Sequence, residues 1–208
     1  VTSVVQMFSN CESLTSLDLS SFNTSKVTDM SYMFNECKKL KSITFGDNFD
    51  TSNVTTMGNM FNYCTNLTSL DLSSFDTSNV TNMGGMFSSC NNLERVDGYI
   101  SFKSYSSSTM STYHMFSSNS TLKKVTFKDI GYKSSAKQFN VSNNKNWGVN
   151  DSAITDARQS LIDSLITYSY DRATAGYSAC TVTLAANSKA LLTDDEIAQI
   201  TAKGFTIA

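Results

Sequence analysis

Apolar residues recur through most of the chain with a period far longer than that of a helix or a strand. Met-Phe pairs stand at Met7-Phe8, Met33-Phe34, Met60-Phe61, Met86-Phe87 and Met115-Phe116, spaced by 26, 27, 26 and 29 residues. Three residues after each of the first four Phe comes a cysteine: Cys11, Cys37, Cys64 and Cys90. Three further on comes Leu14, Leu40, Leu67 or Leu93. The fifth copy carries Asn119 and Leu122 at those positions. A repeat of this length is one supersecondary unit that cannot bury its own apolar side chains, so successive units stack into a solenoid. Within the unit, Leu17-Asp18-Leu19 and Leu70-Asp71-Leu72 alternate with period two. They predict short strands with Leu inward and Asp outward, paired in parallel about 4.8 Å apart. Val54, Met57 and Met60 follow an i, i+3, i+6 spacing that predicts a helical or 3₁₀ turn, with Thr51-Ser52-Asn53 as its capping segment.

The pattern changes twice. Residues 98–114 carry Gly98, three consecutive serines at 106–108 and an insertion, and predict a longer, looser loop. Beyond Phe127 the period is lost. Ile154, Ala157, Leu161 and Leu165 predict a helix from Ser152 to about Thr167, and Cys180 to Leu184 alternate like a strand. Thr193-Asp-Asp-Glu196 is a capping box ahead of a helix that ends at Lys203-Gly204, and Phe205 to Ile207 predict a last strand. We therefore expect residues 1–132 to form a solenoid of about five units and 133–208 a C-terminal capping unit continuous with it. Val1 aligns with Val27, Val54 and Val80, so the sequence is expected to open in mid-repeat, as a piece of a longer protein. No signal segment stands at its start.

Composition sharpens this picture without naming a function. Of 208 residues only 16% are charged, and the net charge is −2. Neither a nucleic-acid partner nor a membrane span is expected from such a chain. Ser, Thr and Asn supply 34, 24 and 19 residues, and there is no Pro. The 40% hydrophobic content, with 13 Phe and 9 Met, argues for a packed protein despite that polarity.

The consensus Met-Phe-x-x-Cys-x-x-Leu-x-x-Leu-x-Leu-x-x-Phe-x-Thr-Ser-x-Val-x-x-Met resembles the BspA-like leucine-rich repeat of bacterial surface lipoproteins and cell-wall proteins. Residues 1–97 match it closely and 98–127 loosely. The resemblance implies an α/β fold: a right-handed leucine-rich-repeat solenoid with a parallel β-sheet on one face, helical or irregular turns on the other, and a C-terminal α/β cap. It also implies an extracellular or cell-surface location on a bacterium and, for some relatives, adhesion to host proteins. It carries no catalytic residue.

Candidate chemistry is sparse. The periodic cysteines lack the close pairs of a zinc site, and a solenoid spreads them along a line. Buried reduced thiols are expected, in a core ladder of Cys11, Cys37, Cys64 and Cys90 beside Phe8, Phe34, Phe61, Phe87 and Phe116. Cys180 is expected in the core as well. A nucleophilic relay would have to use His114, the single histidine, and no motif pairs with it. No catalytic residue, metal or cofactor is expected. The expected function is non-enzymatic binding of a host or cell-surface protein or glycan by a monomer, the alternative being a stalk or spacer with no ligand of its own. The binding surface is expected on the outward strand positions: Ser16, Asp18, Ser20, Ser42, Thr44, Ser69, Asp71, Ser73, Arg95, Asp97, Lys124, Thr126 and Lys128. Residues 1–90 hold 8 acids and 4 bases, whereas 91–132 hold 3 acids and 5 bases, so that face should grade from acidic to basic. No aromatic anchor is expected among these positions.

Overall fold

The computed structural model describes residues 1–104, 109–111, 114–119, 121–122, 124–130, 138–140, 164–169, 171–183 and 192–208. About five coils, each centred on a Met-Phe pair, stack into a parallel-strand solenoid. The predicted Leu-x-Leu strands form: β1 (Ser16–Leu19) pairs in parallel with β2 (Ser42–Phe45), and β3 (Ser69–Asp71) with β4 (Arg95–Asp97). A single parallel bridge from Arg95 to Lys124 carries the row into the fifth coil. The row is not one continuous sheet, because β2 and β3 are not paired. Coil 2 is one residue longer here: Phe45-Gly46-Asp47-Asn48-Phe49 stands where coil 1 has Leu19-Ser20-Ser21-Phe22.

The predicted helical turn is absent. The Val-x-x-Met-x-x-Met segment is instead a chain of tight turns hydrogen-bonded to the next coil. In coil 2, Met33, Asn35 and Cys37 donate their amides to the carbonyls of Met30, Tyr32 and Phe34 three residues back. The intervening amides of Met30, Tyr32, Phe34 and Glu36 donate to Thr56, Gly58, Met60 and Asn62 of coil 3, at 3.0, 2.9, 2.9 and 2.8 Å. Alternate residues thus bond within the coil and across to its neighbour, so the buried backbone is satisfied without a helix. The alternation requires two left-handed residues per coil. They are Gln6 and Asn10, Tyr32 and Glu36, Asn59 and Tyr63, Gly85 and Ser89, and His114 and Ser118, with φ between 50° and 64°. An i, i+3, i+6 apolar spacing fits this arrangement as well as it fits a helix, which is why the pattern misled. Beside the turns, parallel bridges link Ser3, Asp29, Thr56 and Asn82 in a second row.

Polar side chains complete the stacking. Thr28, Thr55 and Thr81 each donate amide and hydroxyl to the same carbonyl of the preceding coil, those of Thr2, Thr28 and Thr55. Buried Thr24 and Thr51 donate their hydroxyls forward to the carbonyls of Asp50 and Asp76. Asn53 and Asn79 donate to the carbonyls of Ser25 and Ser52. These short neutral side chains serve coil-to-coil bonding, which accounts for a chain rich in Ser, Thr and Asn and poor in charge.

The core is a set of side-chain columns along the solenoid axis. Phe8, Phe34, Phe61, Phe87 and Phe116 stack ring on ring, with centroids 5.8, 5.3, 5.6 and 5.2 Å apart. Each such aromatic pair contributes roughly 0.5–1.5 kcal/mol beyond its buried area. Cys37, Cys64 and Cys90 are buried free thiols. Each donates Sγ–H to the carbonyl of the Phe one coil back: Cys37 to Phe8 at 3.1 Å, Cys64 to Phe34 at 3.2 Å, Cys90 to Phe61 at 3.0 Å. Asn119, which replaces Cys in the fifth coil, does the same with Nδ2 to Phe87 at 2.9 Å. Cys11 and Phe8, in coil 1, are half-buried.

Of the segment expected as a loose loop, residues 105–108 and 112–113 lie outside the described residues, and two short strands lie in the rest. β5 (Ile100–Ser101) pairs with β7 (Phe127–Lys128). β6 (Thr109–Ser111) ends four residues before Met115, as Asp29 and Thr56 stand four before Met33 and Met60. It opens a four-stranded parallel sheet ordered β6, β8 (Gln138–Asn140), β9 (Cys180–Thr183) and β10 (Phe205–Ile207). Between β9 and β10 lies α1 (Asp194–Ala202), with the Thr193–Glu196 capping box formed on both sides. Of the helix expected over 152–167, residues 152–163 lie outside the described residues. Ser164–Tyr168 is a π-helical turn, anchored by Phe127 donating its amide to Ser164 Oγ at 2.9 Å. Leu165, Cys180, Val182, Ile200 and Phe205 belong to the same apolar cluster as the coils.

Burial pushes the Cys37 thiol up to about 11 and the Cys90 thiol to about 12, and raises Cys64 too. A folded-state value above the unfolded one means that stability is intact below about pH 9 and falls as pH rises through the folded values. The unfolding midpoint should therefore drop between about pH 8 and about pH 10.5, and the drop should be shallower in Cys64→Ala/Cys90→Ala. An identical alkaline slope in that variant would contradict the buried thiol column.

Candidate functional site

The strand row presents the expected outward residues, but the structure gathers only some of them. Ser16, Asp18, Ser20, Ser42, Thr44, Ser69, Asp71, Ser73, Arg95 and Lys124 are exposed, and Asp97, Thr126 and Lys128 are partly so. Register places Ser16 beside Ser42 and Asp18 beside Thr44 in the first two coils, and Ser69 beside Arg95 and Asp71 beside Asp97 in the next two. Because β2 and β3 are unpaired, these are two separate patches.

The second patch is concave. Asp71, Ser73, Asp97, Gly98, Tyr99, Lys124 and Thr126 line an open groove of about 460 Å³, within the range of ligand sites at roughly 300–1,000 Å³. Gly98 forms its floor. It stands where coil 3 has Leu72, at φ 91°, and a Cβ there would lie 2.6 Å from the Leu72 carbonyl carbon. Only glycine allows this approach of the two backbones. The consequence is that Tyr99 takes the outward position held by Ser73 in coil 3, 42% exposed in the groove. The Lys128 ammonium lies 5.6 Å from its ring centroid, a cation–π contact. An aromatic group therefore does stand on this face, beside the expected positions and not among them. The signal was present in the alignment: Ser20 and Ser73 correspond to Tyr99, one position beyond where the outward pattern was followed.

Charge in the groove is organised around Asp97. Arg95 Nε lies 2.8 Å from its Oδ2 and Lys124 Nζ 2.9 Å from its Oδ1. Across the groove, Ser73 donates both hydroxyl and amide to Asp71, and these bonds hold the Asp71 carboxyl below the usual range. In coil 1, hydrogen bonds from the Ser20 hydroxyl and amide likewise hold the Asp18 carboxyl below the usual range. The arrangement offers fixed carboxylates, an ammonium, hydroxyls and one aromatic ring. Among the described residues no group of three His, Cys, Asp or Glu side chains could hold a metal ion, and no helix is long and apolar enough to cross a membrane.

The chain matches the family described as "Mycoplasma protein of unknown function, DUF285" over residues 2–130 and again over 47–163. It belongs to that family. Comparison with curated proteins and with solved structures found no match.

The groove makes a direct prediction about its floor. Gly98→Ala should destabilise the protein by about 1–3 kcal/mol, through strain at a positive φ and collision with the Leu72 backbone. Denaturant unfolding measures it, and a change under about 0.5 kcal/mol would show that the coils do not approach this closely.

Proposed function

We propose that this protein is a non-enzymatic binding module that holds a host or cell-surface protein or glycan in the Asp71–Tyr99–Lys124 groove. One observation carries the reading: five of the outward residues, Asp71, Ser73, Asp97, Lys124 and Thr126, converge with Tyr99 on one concavity. A rigid aromatic flanked by charges of both signs suits macromolecular recognition, since aromatics anchor interfaces and charges steer and select. Single contacts of this kind are weak, and many copies on a surface would make them useful. The resemblance to BspA-like leucine-rich repeats supports a location outside the cell or on the surface of a bacterium. It also supports a right-handed leucine-rich-repeat winding, with residues 133–208 as the cap. The shared apolar cluster is what favours the capping role.

A second reading is a spacer that projects another domain. The matching outward residues of coils 1 and 3, Ser16-x-Asp18-x-Ser20 and Ser69-x-Asp71-x-Ser73, favour it, because a specific site needs variation between repeats.

Binding to immobilised host matrix proteins and glycans separates the two. The double variant Asp71→Lys/Lys124→Glu should bind any captured ligand about tenfold more weakly. Unchanged binding in the double variant would move the site off this groove. Absence of any ligand, with the isolated chain inert toward cells, would favour the spacer.

A further inference from the structure

A second concavity lies on the turn row and shares no residue with the strand groove. Asn59, Asn62, Tyr63, Asn82, Gly84, Gly85, Ser88 and His114 enclose a cleft of about 420 Å³. It exists because coil 4 carries Gly84-Gly85 where coil 2 carries Ser31-Tyr32, so a notch opens between the side chains of coils 3 and 5. Asn59 lies over Gly85 and Asn82 over Gly58, where any added Cβ would meet their amides. Tyr63, 47% exposed, stands on the rim in a left-handed conformation with φ 58°. Its amide is fixed by a 2.9 Å bond to the Ser88 carbonyl.

The chemistry of this lining is narrow. Among the described residues the lining carries no Asp, Glu, Lys or Arg. Asn82 accepts from the Gly84 amide through Oδ1, and its Nδ2 donates to no described acceptor. Asn62 donates to Asn35 through Nδ2, which leaves its Oδ1 as an acceptor at the cleft. Amides and a serine hydroxyl that both donate and accept, beside an exposed aromatic ring, match a ligand dense in hydroxyls with one apolar face. A peptide fits less well. Extended peptides bind by adding to a strand edge or by filling apolar or charged pockets. Here the turn-row amides already bond from coil to coil, and among the described residues the lining has neither kind of pocket. We propose that this notch is a saccharide site that takes the end of a neutral oligosaccharide, with Tyr63 stacking on the sugar ring and Asn59, Asn62, Asn82 and Ser88 bonding its hydroxyls. It stands whether or not the strand groove binds anything.

His114 provides the probe. It is the single histidine, so its imidazole Hε1 gives one identifiable proton resonance in the intact chain. Neutral oligosaccharides, namely N-acetylchitotriose, lactose, maltotriose and mannotriose, would be titrated to about 10 mM, enough to detect a Kd of about 1 mM. At least one should shift that resonance and receive saturation transfer from the protein. Gly84→Arg fills the notch at a position where other coils carry Val5 and Ser31, and should abolish the shift while leaving thermal unfolding unchanged. Tyr63→Ala should weaken binding about tenfold. If Gly84→Arg alters folding, the Tyr63→Ala result alone decides. No shift with any of the four sugars, full binding in both variants, or a larger response to short neutral peptides would overturn the proposal.

Discussion

Everything in this molecule depends on how the turn row settles its backbone hydrogen bonds. A coil that reverses direction every few residues would bury amides and carbonyls with no partners, at a cost of several kcal/mol for each group. Here alternate residues close tight turns within the coil and the rest donate to the next coil. The left-handed residues at both ends of each Met-Phe pair make that alternation possible. Once the coils are locked at one spacing, the side chains must repeat at that spacing, and the Met, Phe, Cys and Leu columns follow.

The cysteine column shows how tightly chemistry follows from this lock. The Phe carbonyl of each coil accepts an amide from its own turn and has one lone pair left, buried in the core. A thiol small enough for the column supplies the missing donor. Where the fifth coil uses Asn119 instead, Nδ2 makes the same bond, but the added amide oxygen is buried without a hydrogen-bond partner. Cysteine is therefore favoured by size and by a single weak donor.

Much of the fold was legible in the sequence, and the losses have physical causes. Leu17-Asp18-Leu19 and Leu70-Asp71-Leu72 read directly as strands because a strand's period of two has no competing interpretation. Thr193 and Glu196 read as a cap because both bonds are local. The turn row did not read, since Val54, Met57 and Met60 fit helix and stacked turn equally, and the deciding feature is a hydrogen bond to a residue 25 positions away, from the Met57 amide to the Asn82 carbonyl. The interruption between β2 and β3, in a coil that carries one extra residue after β2, is invisible to a consensus. In the strand groove, Asp71 and Lys124 were identified individually, but their convergence depends on Gly98, and Tyr99 was missed with it. The cleft at Gly84-Gly85 was hidden for the same reason: a site made by missing side chains leaves no motif.

The central claim is that coil-to-coil bonding, and no single coil, carries stability. Amide hydrogen exchange in Phe61→Ala tests it most directly. Phe61 stacks on Phe34 and Phe87, and its loss should cost about 3–5 kcal/mol. In a nearest-neighbour array that cost spreads to adjacent units. The turn-row amides of Tyr32, Phe34 and Glu36 in coil 2 and of Phe87 and Ser89 in coil 4 should therefore exchange faster together with those of Asn59 and Tyr63 in coil 3. Acceleration confined to coil 3, with its neighbours protected as in the unaltered protein, would contradict the account.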